Sequence, residues 1–455
     1  MTRRMIVIGG DAAGMAAAST AKKRLGDALD VLVFERGHWT SYSACGIPYW
    51  VSGDVDGPDA LVARSPQDHR ANGIDVRMGA EVVAIDRAAR VVEVSGADGT
   101  TSRHAYDDLV IATGAEPIRP PLPGIDAEGI YGVQTLDDGV EILDGLGRDP
   151  KRAIIVGSGY IGVEMAEACV KRGLETTVVD QAPTPIGLLD AELGAQVHVA
   201  MTGMGMDVRM STPVREFAVA DGRVCGVVVD DGVIDADIVL LGIGVRARSE
   251  LAESAGLALG ETGAIRVDPH QRVDAEAGIW AAGDCVESYD RLRKSYVHVP
   301  LGTHANKQGW IVGRNVMADP GEELVRFPGI VGTAVTKVCD LEIGISGLGE
   351  SDARDAGFDP VAVTIETTTR AGYFPGAQPM TVKLVADRDS RRVLGSQIVG
   401  REGSALRIDT VAMALWSGLT VDELMLTDLA YAPPFSPVWD PVQVAARALA
   451  SKLGY

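Results

Sequence analysis

Short apolar runs that end in glycine-rich turns recur along the chain and predict buried parallel strands, each leading into a helix. Residues 5–8 (MIVI) form the first run, the turn GGDAAG follows at 9–14, and an Ala-rich helix is expected from about residue 13 to 25. The next run, DVLVFE, ends in Glu35. Strand, glycine-rich turn, helix, strand and terminal acid, in this order, are typical of a dinucleotide-binding unit.

In such a unit the glycines let backbone N–H groups approach a pyrophosphate at the positive end of the helix. Glu35 would accept hydrogen bonds from the ribose hydroxyls. Asp11, however, stands where the G-x-G-x-x-G pattern has its middle glycine. The first turn alone therefore also fits a βαβ unit that binds no ligand.

The pattern recurs in complete form further along the chain. The strand AIIVG leads into GSGYIG at 157–162, a helix is expected to about Arg172, and the strand TTVVD ends in Asp180. The charge of Asp180 would repel a 2′-phosphate, and no Arg or Lys lies between residues 174 and 190 to offset it. This second turn predicts NADH binding in preference to NADPH.

Two dinucleotide sites on one chain suggest two different nucleotides, an arrangement that suits a flavoprotein in which NADH reduces FAD. Two further strands fit FAD in the first site: YDDLVIATGAEP, with Thr113-Gly114 at its end, and GIWAAGDCVE, with Gly283-Asp284. Each also fits an ordinary strand end followed by a turn.

The overall composition narrows the class of protein. The chain has 455 residues, enough for about three domains, and its net charge of −21 argues against nucleic acid or an anionic membrane as a partner. The five cysteines, at 45, 169, 225, 285 and 339, fit neither a disulfide framework nor a zinc site. We therefore expect no metal and a reducing, cytoplasmic location.

Taken together, the motifs resemble those of the pyridine nucleotide–disulfide oxidoreductases. The resemblance runs from the first strand to the C-terminus and is carried by GGDAAGM, YDDLVIATGA, GSGYIGVEMAE, GIWAAGDC, PLGTHANKQG and YAPPFSPVWDP. It implies an α/β fold with two Rossmann-like domains, a discontinuous FAD-binding domain at 1–116 and 244–326 and an NAD(P)H-binding domain at 117–243. An α+β dimerisation domain at 327–455 would pair two chains into a homodimer.

The resemblance also implies which residues hold the nucleotides. Glu35 and Asp284 would hold FAD, and the second glycine-rich turn would hold NAD(P)H. Tyr160 would cover the flavin until NADH displaces it, and Glu164 would reach toward the junction of flavin and nicotinamide. A helix capped by Thr303 would point its N-terminus at the flavin ring. The predicted cofactor-binding residues are Gly9, Gly10, Ala13, Gly14, Glu35, Ser43, Thr113, Gly114, Gly157, Gly159, Tyr160, Ile161, Gly162, Glu164, Asp180, Gly244, Gly283, Asp284, Leu301, Gly302 and Thr303.

The stretch SYSACGIPYW, residues 41–50, contains a lone cysteine, Cys45, where many redox enzymes have a pair. A second cysteine five residues later would close a disulfide, but that position is Trp50. The stretch resembles the family's single-cysteine branch, which contains coenzyme A-disulfide reductases, NADH oxidases, NADH peroxidases and persulfide reductases. In that branch a thiolate attacks a sulfur, giving a mixed disulfide, or an oxygen, giving a sulfenic acid. The sulfur that replaces the second cysteine would thus come from the substrate.

Thiolate formation is the physical requirement of this chemistry, and a helix N-terminus lowers the pKa of a thiol. We expect Cys45-Gly46 to open a helix, and Ser41 and Ser43 to donate hydrogen bonds to the sulfur. The other four cysteines are predicted to be structural.

A few residues favour one enzyme type of the single-cysteine branch over the others. Oxidases and peroxidases of this group carry a His in the first glycine-rich turn, where this chain has Ala12, so peroxide chemistry lacks its usual acid–base group. In the disulfide reductases, two tyrosines of the partner subunit assist the sulfur chemistry, and the matching residues are Tyr373 and Tyr431. Each also fits an interface residue that only packs. We therefore predict a flavoprotein NAD(P)H-dependent disulfide reductase with Cys45, Tyr373 and Tyr431 as catalytic residues. An NADH oxidase or peroxidase, and a redox sensor with little turnover, are the alternatives.

The substrate is predicted to be coenzyme A disulfide or a similar small disulfide. Coenzyme A enzymes carry basic residues on the first helix, where Lys22, Lys23 and Arg24 lie, and Lys23 is the closest match. They usually have Asn just before the cysteine, where this chain has Ala44. Lys23, Ser41 and Ala44 are the predicted substrate-binding residues. No rhodanese-like extension follows residue 455, which disfavours a persulfide.

Overall fold

The computed structural model describes residues 2–318 and 321–455. Residue 1 and residues 319–320, which fall in the predicted FAD-binding domain, lie outside the described residues. Within the described ranges, no helix is long and apolar enough to cross a membrane. The α-helices of these ranges are Ala12–Leu25, Ile47–Ser52, Pro66–Ala71, Leu136–Leu146, Tyr160–Lys171, Ala191–Gly203, Glu250–Ser254, Gly302–Asn315, Glu350–Asp355, Ile408–Ser417, Val421–Met425 and Pro441–Lys452.

The first large sheet has six strands and carries the turn at 9–14. Val7 pairs in parallel with Val33 on one side and Val110 on the other, and the apolar run at 5–8 is buried because the sheet is covered on both faces. The strands lie in the order Arg272–Asp274, Ile279–Ala281, Asp108–Ile111, Arg3–Ile8, Leu29–Glu35 and Ile74–Met78. A separate antiparallel sheet, which lies in the chain between Ile74–Met78 and Asp108–Ile111, contains Ala80–Asp86, Val91–Gly96 and Thr101–Ala105.

The second large sheet is parallel and has five strands, which carry the turn at 157–162. Their order is Asp207–Arg209, Glu175–Val179, Arg152–Val156, Ile238–Leu241 and Ile130–Tyr131. A three-stranded antiparallel sheet, Glu216–Ala220, Arg223–Val229 and Gly232–Asp235, adjoins it. The chain passes between the two large sheets at Ala115–Pro117 and Val245–Ala247, which pair antiparallel. The predicted boundaries at 116/117 and 243/244 lie at this crossing and stay predictions.

The C-terminal part contains a five-stranded antiparallel sheet. Helices at 408–417 and 441–452 bury their apolar faces against it. The proline-rich segment between Met425 and Pro441 forms no helix in the described structure, as its prolines predict. The sheet order is Ala334–Val338, Leu341–Gly347, Val393–Gly400, Pro379–Asp387 and Pro360–Thr368, and a hairpin of Ser288–Asp290 and Ser295–Val297 precedes it in the chain. The predicted α/β fold with a C-terminal α+β domain is confirmed.

Two helices of the first domain pack through small residues. The helix at 302–315 lies so close to the helix at 12–25 that a Cβ at Gly309 would come within 2.2 Å of the Ala13 carbonyl oxygen. This approach brings the start of the later helix beside the first glycine-rich turn.

A buried lysine joins the C-terminal sheet to the start of the helix Ala191–Gly203. Lys383 Nζ lies 2.7 Å from Asp190, 2.5 Å from Glu192 and 2.8 Å from Glu350, and its side chain is 4% exposed. Three carboxylates therefore compensate the desolvation of one ammonium group.

Candidate active site

The first glycine-rich turn closes tightly between a buried strand and a helix. Gly9 has a φ of 105°, and a Cβ at Gly14 would lie 2.0 Å from the Gly9 carbonyl oxygen, so both positions require glycine. Glu35, at the end of the neighbouring strand, accepts a hydrogen bond of 2.7 Å from Gly10 N. Its carboxylate is thereby fixed at the edge of the turn.

The second glycine-rich turn repeats this geometry. Gly157 has a φ of 97°, and a Cβ at Gly162 would lie 2.1 Å from the Gly157 carbonyl oxygen. Asp180 Oδ2 accepts hydrogen bonds from Ser158 N and Ser158 Oγ, both at 2.6 Å. The two turns therefore adopt the same backbone form, although only the second has the complete motif.

Helices that start at the two turns and at residue 302 have no side-chain cap. Four other helices, which start at Pro66, Leu136, Val421 and Pro441, begin with a capping box, whereas those that start at Ile47, Ala191, Glu250, Glu350 and Ile408 also lack a side-chain cap. An uncapped start leaves backbone N–H groups and the positive helix end available to an anionic ligand.

The helix predicted to be capped by Thr303 begins one residue before it, at Gly302. Leu301 has the extended backbone of a cap residue, with φ −135° and ψ 134°. The prediction of Thr303 as the cap is therefore wrong, because Thr303 is already the second residue of the helix.

Cys45 lies in a 3-10 turn, Ala44–Gly46, that runs directly into the helix Ile47–Ser52. The prediction that the cysteine stands at a helix start is thus confirmed. Gly46 fits there because a Cβ would come within 2.2 Å of Leu61 Cδ2. The small residue after the cysteine lets the turn pack closely on the segment that carries Leu61.

All five cysteines are free, and their exposures differ. Cys45 and Cys225 are exposed, whereas Cys169 and Cys285 are buried. Burial raises the pKa of the Cys169 thiol to about 12, which keeps it unreactive. Cys45 is thus an accessible thiol, and its segment is hydrogen-bonded to the first glycine-rich turn.

The protein groups around Cys45 raise the pKa of its thiol instead of lowering it. Partial desolvation is the largest cause, and the negative charges of Glu164 and Asp284 add to it. The expectation that the helix start lowers this pKa is wrong for the protein alone, because burial and the charges of Glu164 and Asp284 outweigh the start of a helix of only six residues.

Ser41 and Ser43, predicted to hydrogen-bond the thiol, differ in their surroundings. Ser41 Oγ forms a 2.9 Å hydrogen bond with Nε2 of the buried His69, so its hydroxyl already has a partner. Ser43 is exposed, one residue before the turn that holds Cys45. His69 lies 28 residues away from Ser41 in the sequence, and the SYSACGIPYW stretch gives no indication of this contact.

The two strand ends predicted to contact FAD lie against the first turn. A Cβ at Gly9 would come within 2.1 Å of the Ala112 carbonyl oxygen, so the strand that ends at Thr113-Gly114 crosses directly over the turn. Burial raises the pKa of Asp284, and the nearby His298 opposes this shift. The imidazole Nε2 of His298 donates to the Asp284 carbonyl oxygen at 2.7 Å.

Tyr160 and Glu164 lie on the helix that follows the second turn. Among the residues that the structure describes, the buried Tyr160 hydroxyl has no hydrogen-bond partner, and burial together with Glu164 raises its pKa to about 12. Glu164 Oε1 accepts a 2.6 Å hydrogen bond from Thr336 Oγ1 of the C-terminal sheet. Sequence reasoning missed Thr336, because the contact joins residues 172 positions apart and depends on the packing of two domains.

Tyr373 and Tyr431 lie side by side on the C-terminal domain. Their rings are 78% and 46% exposed, and a hydrogen bond between the two hydroxyls raises the pKa of Tyr431. The loops that carry them are joined by a 3.2 Å hydrogen bond from Ala371 N to the Pro433 carbonyl oxygen. The structure thus brings together two residues that are 58 positions apart and that the sequence assigns to one task.

The basic residues of the first helix are not equivalent. Lys22 Nζ donates to the Leu29 carbonyl oxygen at 2.8 Å, and the Arg24 guanidinium donates to the Val316 carbonyl oxygen. Lys23 is exposed. Of the three, it is the one whose charge faces solvent.

Comparison with known proteins places these features in a family. A family model described as pyridine nucleotide-disulphide oxidoreductase matches residues 3–309, and the model of that family's dimerisation domain matches residues 333–441. The chain belongs to the pyridine nucleotide-disulphide oxidoreductase family. It is a flavoprotein oxidoreductase that uses FAD and NAD(P)H, and it carries the family's C-terminal dimerisation domain. The family predicted from the motifs is confirmed.

Three relatives illustrate the similarity. The chain is 37% identical over 462 residues to the NAD(P)H coenzyme A polysulfide/persulfide reductase of Pyrococcus horikoshii, covering 99% of each chain. It is 35% identical over 453 residues to an NADH oxidase of Methanocaldococcus jannaschii, again covering 99% of each. A solved NAD-dependent persulfide reductase from A. fulgidus is 37% identical, with a TM-score of 0.95 over 99% of this chain and 83% of that one.

The residues around the first turn fit FAD. Glu35 is held at the edge of a turn in which two positions require glycine, and the helix at 302–315 starts without a side-chain cap beside it. The buried hydroxyl of Tyr160 has no partner among the described protein groups. A nucleotide with an anionic pyrophosphate and an aromatic ring system matches such a set of groups.

Proposed function

We propose that the protein reduces a low-molecular-weight disulfide or persulfide with electrons from NADH, through FAD and the single thiol of Cys45. One observation carries the proposal. Cys45 is an exposed free thiol whose segment is hydrogen-bonded onto the first glycine-rich turn. A thiol in this position can receive electrons from a flavin and meet a substrate from solvent.

The sulfur chemistry balances with one external disulfide per turnover. FAD, when bound, accepts a hydride from NADH and supplies two electrons to sulfur. Cys45 Sγ attacks one sulfur of RS–SR′, so the S–S bond breaks, R′S⁻ leaves and Cys45–S–S–R forms. Two electrons then cleave this mixed disulfide, releasing RS⁻ and restoring Cys45. The sum is RSSR′ + NADH + H⁺ → RSH + R′SH + NAD⁺, and a persulfide RSSH yields RSH and H₂S.

The coenzyme is proposed to be NADH. Asp180 ends its strand beside the second turn with its carboxylate bonded to Ser158. Arg209, on the neighbouring strand, pairs with Asp207 at 2.7 Å and so does not offer its charge to a 2′-phosphate. A 2′-hydroxyl can donate to Asp180, whereas a 2′-phosphate meets its charge.

The substrate is proposed to carry coenzyme A. The exposed Lys23 supports this, because its two basic neighbours are already bound to backbone carbonyls. The name of the Pyrococcus horikoshii relative, which includes coenzyme A and persulfides, supports it further and adds persulfides to the proposed substrate class. Ser41 and Ala44 stay predicted neighbours of the substrate.

The active form is proposed to be a homodimer. The C-terminal domain exposes a cluster of large apolar side chains, which is the signature of a covered surface: Leu406, Met413, Trp416, Leu426, Phe435, Val438 and Trp439. Tyr373 and Tyr431 lie in the same region, and two-fold pairing would carry them to the partner's Cys45. A phenol there can hydrogen-bond a thiolate or protonate the leaving sulfur.

The second candidate is an NADH oxidase in which Cys45 cycles through a sulfenic acid. The Methanocaldococcus jannaschii relative carries that name, and Cys45 is accessible to oxygen-derived oxidants. Ala12, the first residue of its helix, offers no acid–base group for this route.

An anaerobic assay separates the two functions. Wild type and Cys45→Ser receive NADH and either coenzyme A disulfide, coenzyme A persulfide or cystine, and free thiol and sulfide are measured; ferricyanide, which takes electrons from flavin directly, is the control acceptor. We expect thiol release that falls at least about 10³-fold in Cys45→Ser while ferricyanide reduction is retained. Wild type that releases no thiol from any of them, but consumes oxygen rapidly through Cys45, would establish the oxidase instead.

A further inference from the structure

Three consecutive residues tie the segment that carries Cys45 to the first glycine-rich turn. Thr40 Oγ1 donates to the Gly10 carbonyl oxygen, and Ser41 N donates to the same oxygen at 3.1 Å. Tyr42 N donates to Asp11 Oδ1 at 3.1 Å. Asp11 supplies the side-chain acceptor among these three bonds, and it is the residue that replaces the middle glycine of the motif.

Two further backbone hydrogen bonds hold the residues between Tyr42 and the end of the cysteine turn. Ser43 N donates to the Leu61 carbonyl oxygen at 2.9 Å, and Gly46 N donates to the Ser43 carbonyl oxygen at 2.9 Å. Cys45 lies inside the turn that this second bond closes. Only Ser43 and Ala44 separate Tyr42 from Cys45, so we expect a shift of Tyr42 to move this turn and the sulfur with it.

The backbone before Tyr42 is strained, which makes the ties necessary. Ser41 has a φ of 52°, in the left-handed region that residues with a side chain rarely adopt. Its carbonyl oxygen accepts a 2.8 Å hydrogen bond from Ala63 N, and its hydroxyl is bonded to His69. Such a conformation persists only where surrounding contacts fix it, so removing one contact lets the segment relax.

We propose that Asp11 is a positioning residue for Cys45: its side chain holds Tyr42, and with it the turn Ala44–Gly46, against the first glycine-rich turn. The second turn has Gly159 at the equivalent place. The activity readout of this inference rests on the proposed function, but the thiol readout described below does not.

Asp11 acts through its acceptor oxygen and not through a charge. The groups that face it are Glu35, Asp284, Tyr42 and the thiol of Cys45, which are acidic or neutral. Burial raises the pKa of Asp11 to about 7, and the hydrogen bond from Tyr42 N partly opposes the shift. Carboxyl and carboxylate both present an oxygen to Tyr42 N, and so does the amide of asparagine.

The test compares Asp11→Ala, which removes the acceptor, with Asp11→Asn, which keeps it, and Asp11→Gly, which copies the second turn. Asp27→Ala, an exposed acid after the same helix, is the matched control. All are FAD-loaded holoenzymes. Three quantities are measured: disulfide reduction, ferricyanide reduction, and the pH profile of iodoacetamide alkylation at Cys45, read by peptide mass spectrometry with the exposed Cys225 of the same chain as reference.

We expect Asp11→Ala and Asp11→Gly to keep FAD and ferricyanide reduction within about twofold of wild type. Their kcat for disulfide reduction should fall by about tenfold to a hundredfold, as misplacement of a nucleophile implies. The Cys45-to-Cys225 alkylation ratio should change by at least about threefold and its pH profile should shift. Asp11→Asn should restore kcat and the ratio to within about twofold of wild type.

Three results would overturn the inference. If Asp11→Ala loses FAD, Asp11 contributes to FAD binding instead. If Asp11→Ala has an unchanged alkylation ratio, its hydrogen bond to Tyr42 does not position the Cys45 thiol. If Asp11→Asn lowers kcat as much as Asp11→Ala does, Asp11 has a proton-transfer role. If wild type reduces no disulfide, the proposed function fails, but the alkylation ratio still decides the positioning role on its own.

Discussion

The two glycine-rich turns share one backbone form but differ in what surrounds them. In both, a glycine follows the strand with φ near 100°, a Cβ at another glycine would lie within about 2 Å of its carbonyl oxygen, and an acid at the next strand end bonds the turn. The first turn adjoins the helix at 302–315, the end of the strand Asp108–Ile111 and the segment of Cys45. The second adjoins the strand end at Gly242 and Ile186, whose N donates to the Ser158 carbonyl oxygen. The first turn is thus the one beside an exposed thiol, which suits FAD there and the nicotinamide coenzyme at the second.

Gly14→Ala and Gly162→Ala test this difference most strongly. Each Cβ would collide with a carbonyl oxygen, at 2.0 and 2.1 Å, so each substitution should disturb the nucleotide at its own turn. We expect Gly14→Ala to weaken FAD binding by at least about tenfold and to abolish every activity. Gly162→Ala should keep FAD and raise the KM for NADH. Flavin absorbance per protein and steady-state kinetics measure both.

Gly203→Ala is the control for this pair, because a Cβ there would meet nothing within 4 Å. It should leave FAD content and KM unchanged. Equal loss of FAD in the Gly14 and Gly162 variants would contradict the assignment of different nucleotides to the two turns.

Asp180→Ala combined with Gln181→Arg should change coenzyme choice. Removing the acid and adding a cation favours a 2′-phosphate, so we expect the ratio of kcat/KM for NADPH over NADH to rise by about tenfold or more. Glu35→Ala, the same deletion at the first turn, should lower FAD content and leave this ratio unchanged. A ratio that responds to Glu35 would mean that the turns have exchanged roles.

Tyr431→Phe and Tyr373→Phe test whether the two phenol hydroxyls act in the reduction of the disulfide substrate. Each should lower kcat for disulfide reduction by about tenfold or more through the lost hydroxyl. Flavin reduction by NADH, followed by stopped-flow absorbance, should be unaffected because it belongs to the second turn. Tyr455→Phe, another exposed tyrosine, is the control. An active monomer in sedimentation would contradict the role of the pair.

Asp11 gives the smallest expected effect, on stability. Its pKa is raised to about 7 in the folded protein, from 3.8, so the unfolded chain loses this proton first as the pH rises. The folded form is therefore favoured at low pH, and the contribution of Asp11 to stability falls between about pH 4 and 7. The Tm of wild type should drop relative to Asp11→Asn over this interval. A constant difference would show an Asp11 with an ordinary pKa.

The fold was predictable because its signals are local. Each apolar strand, glycine-rich turn and strand-end acid stands in the order that the backbone requires, and the second turn has every motif position. The cap of the helix Gly302–Asn315 was predicted at the wrong residue. Leu301 has the backbone of a cap, but its side chain has no hydrogen-bond acceptor from which a cap could be recognised in the sequence.

The environment of Cys45 was predictable only in part. Its place at a helix start follows from the glycine and proline after it, but its raised pKa depends on Glu164 and Asp284, which approach from distant parts of the chain. The bond between Ser41 and His69 and that between Glu164 and Thr336 likewise arise from tertiary packing. The role of Asp11 did have a signal in the sequence, because a charged residue at a position where the motif has glycine indicates a side-chain interaction at the turn.

Lys383 resists any separation of the C-terminal domain from the helix Ala191–Gly203. Its buried ammonium group keeps Glu350 within its own domain, but parting the two sides would leave Asp190 and Glu192 without the cation that they share. Rigid-body hinging at this contact is therefore costly. We expect the movements that admit a coenzyme to be those of individual side chains near the second turn and not of whole domains.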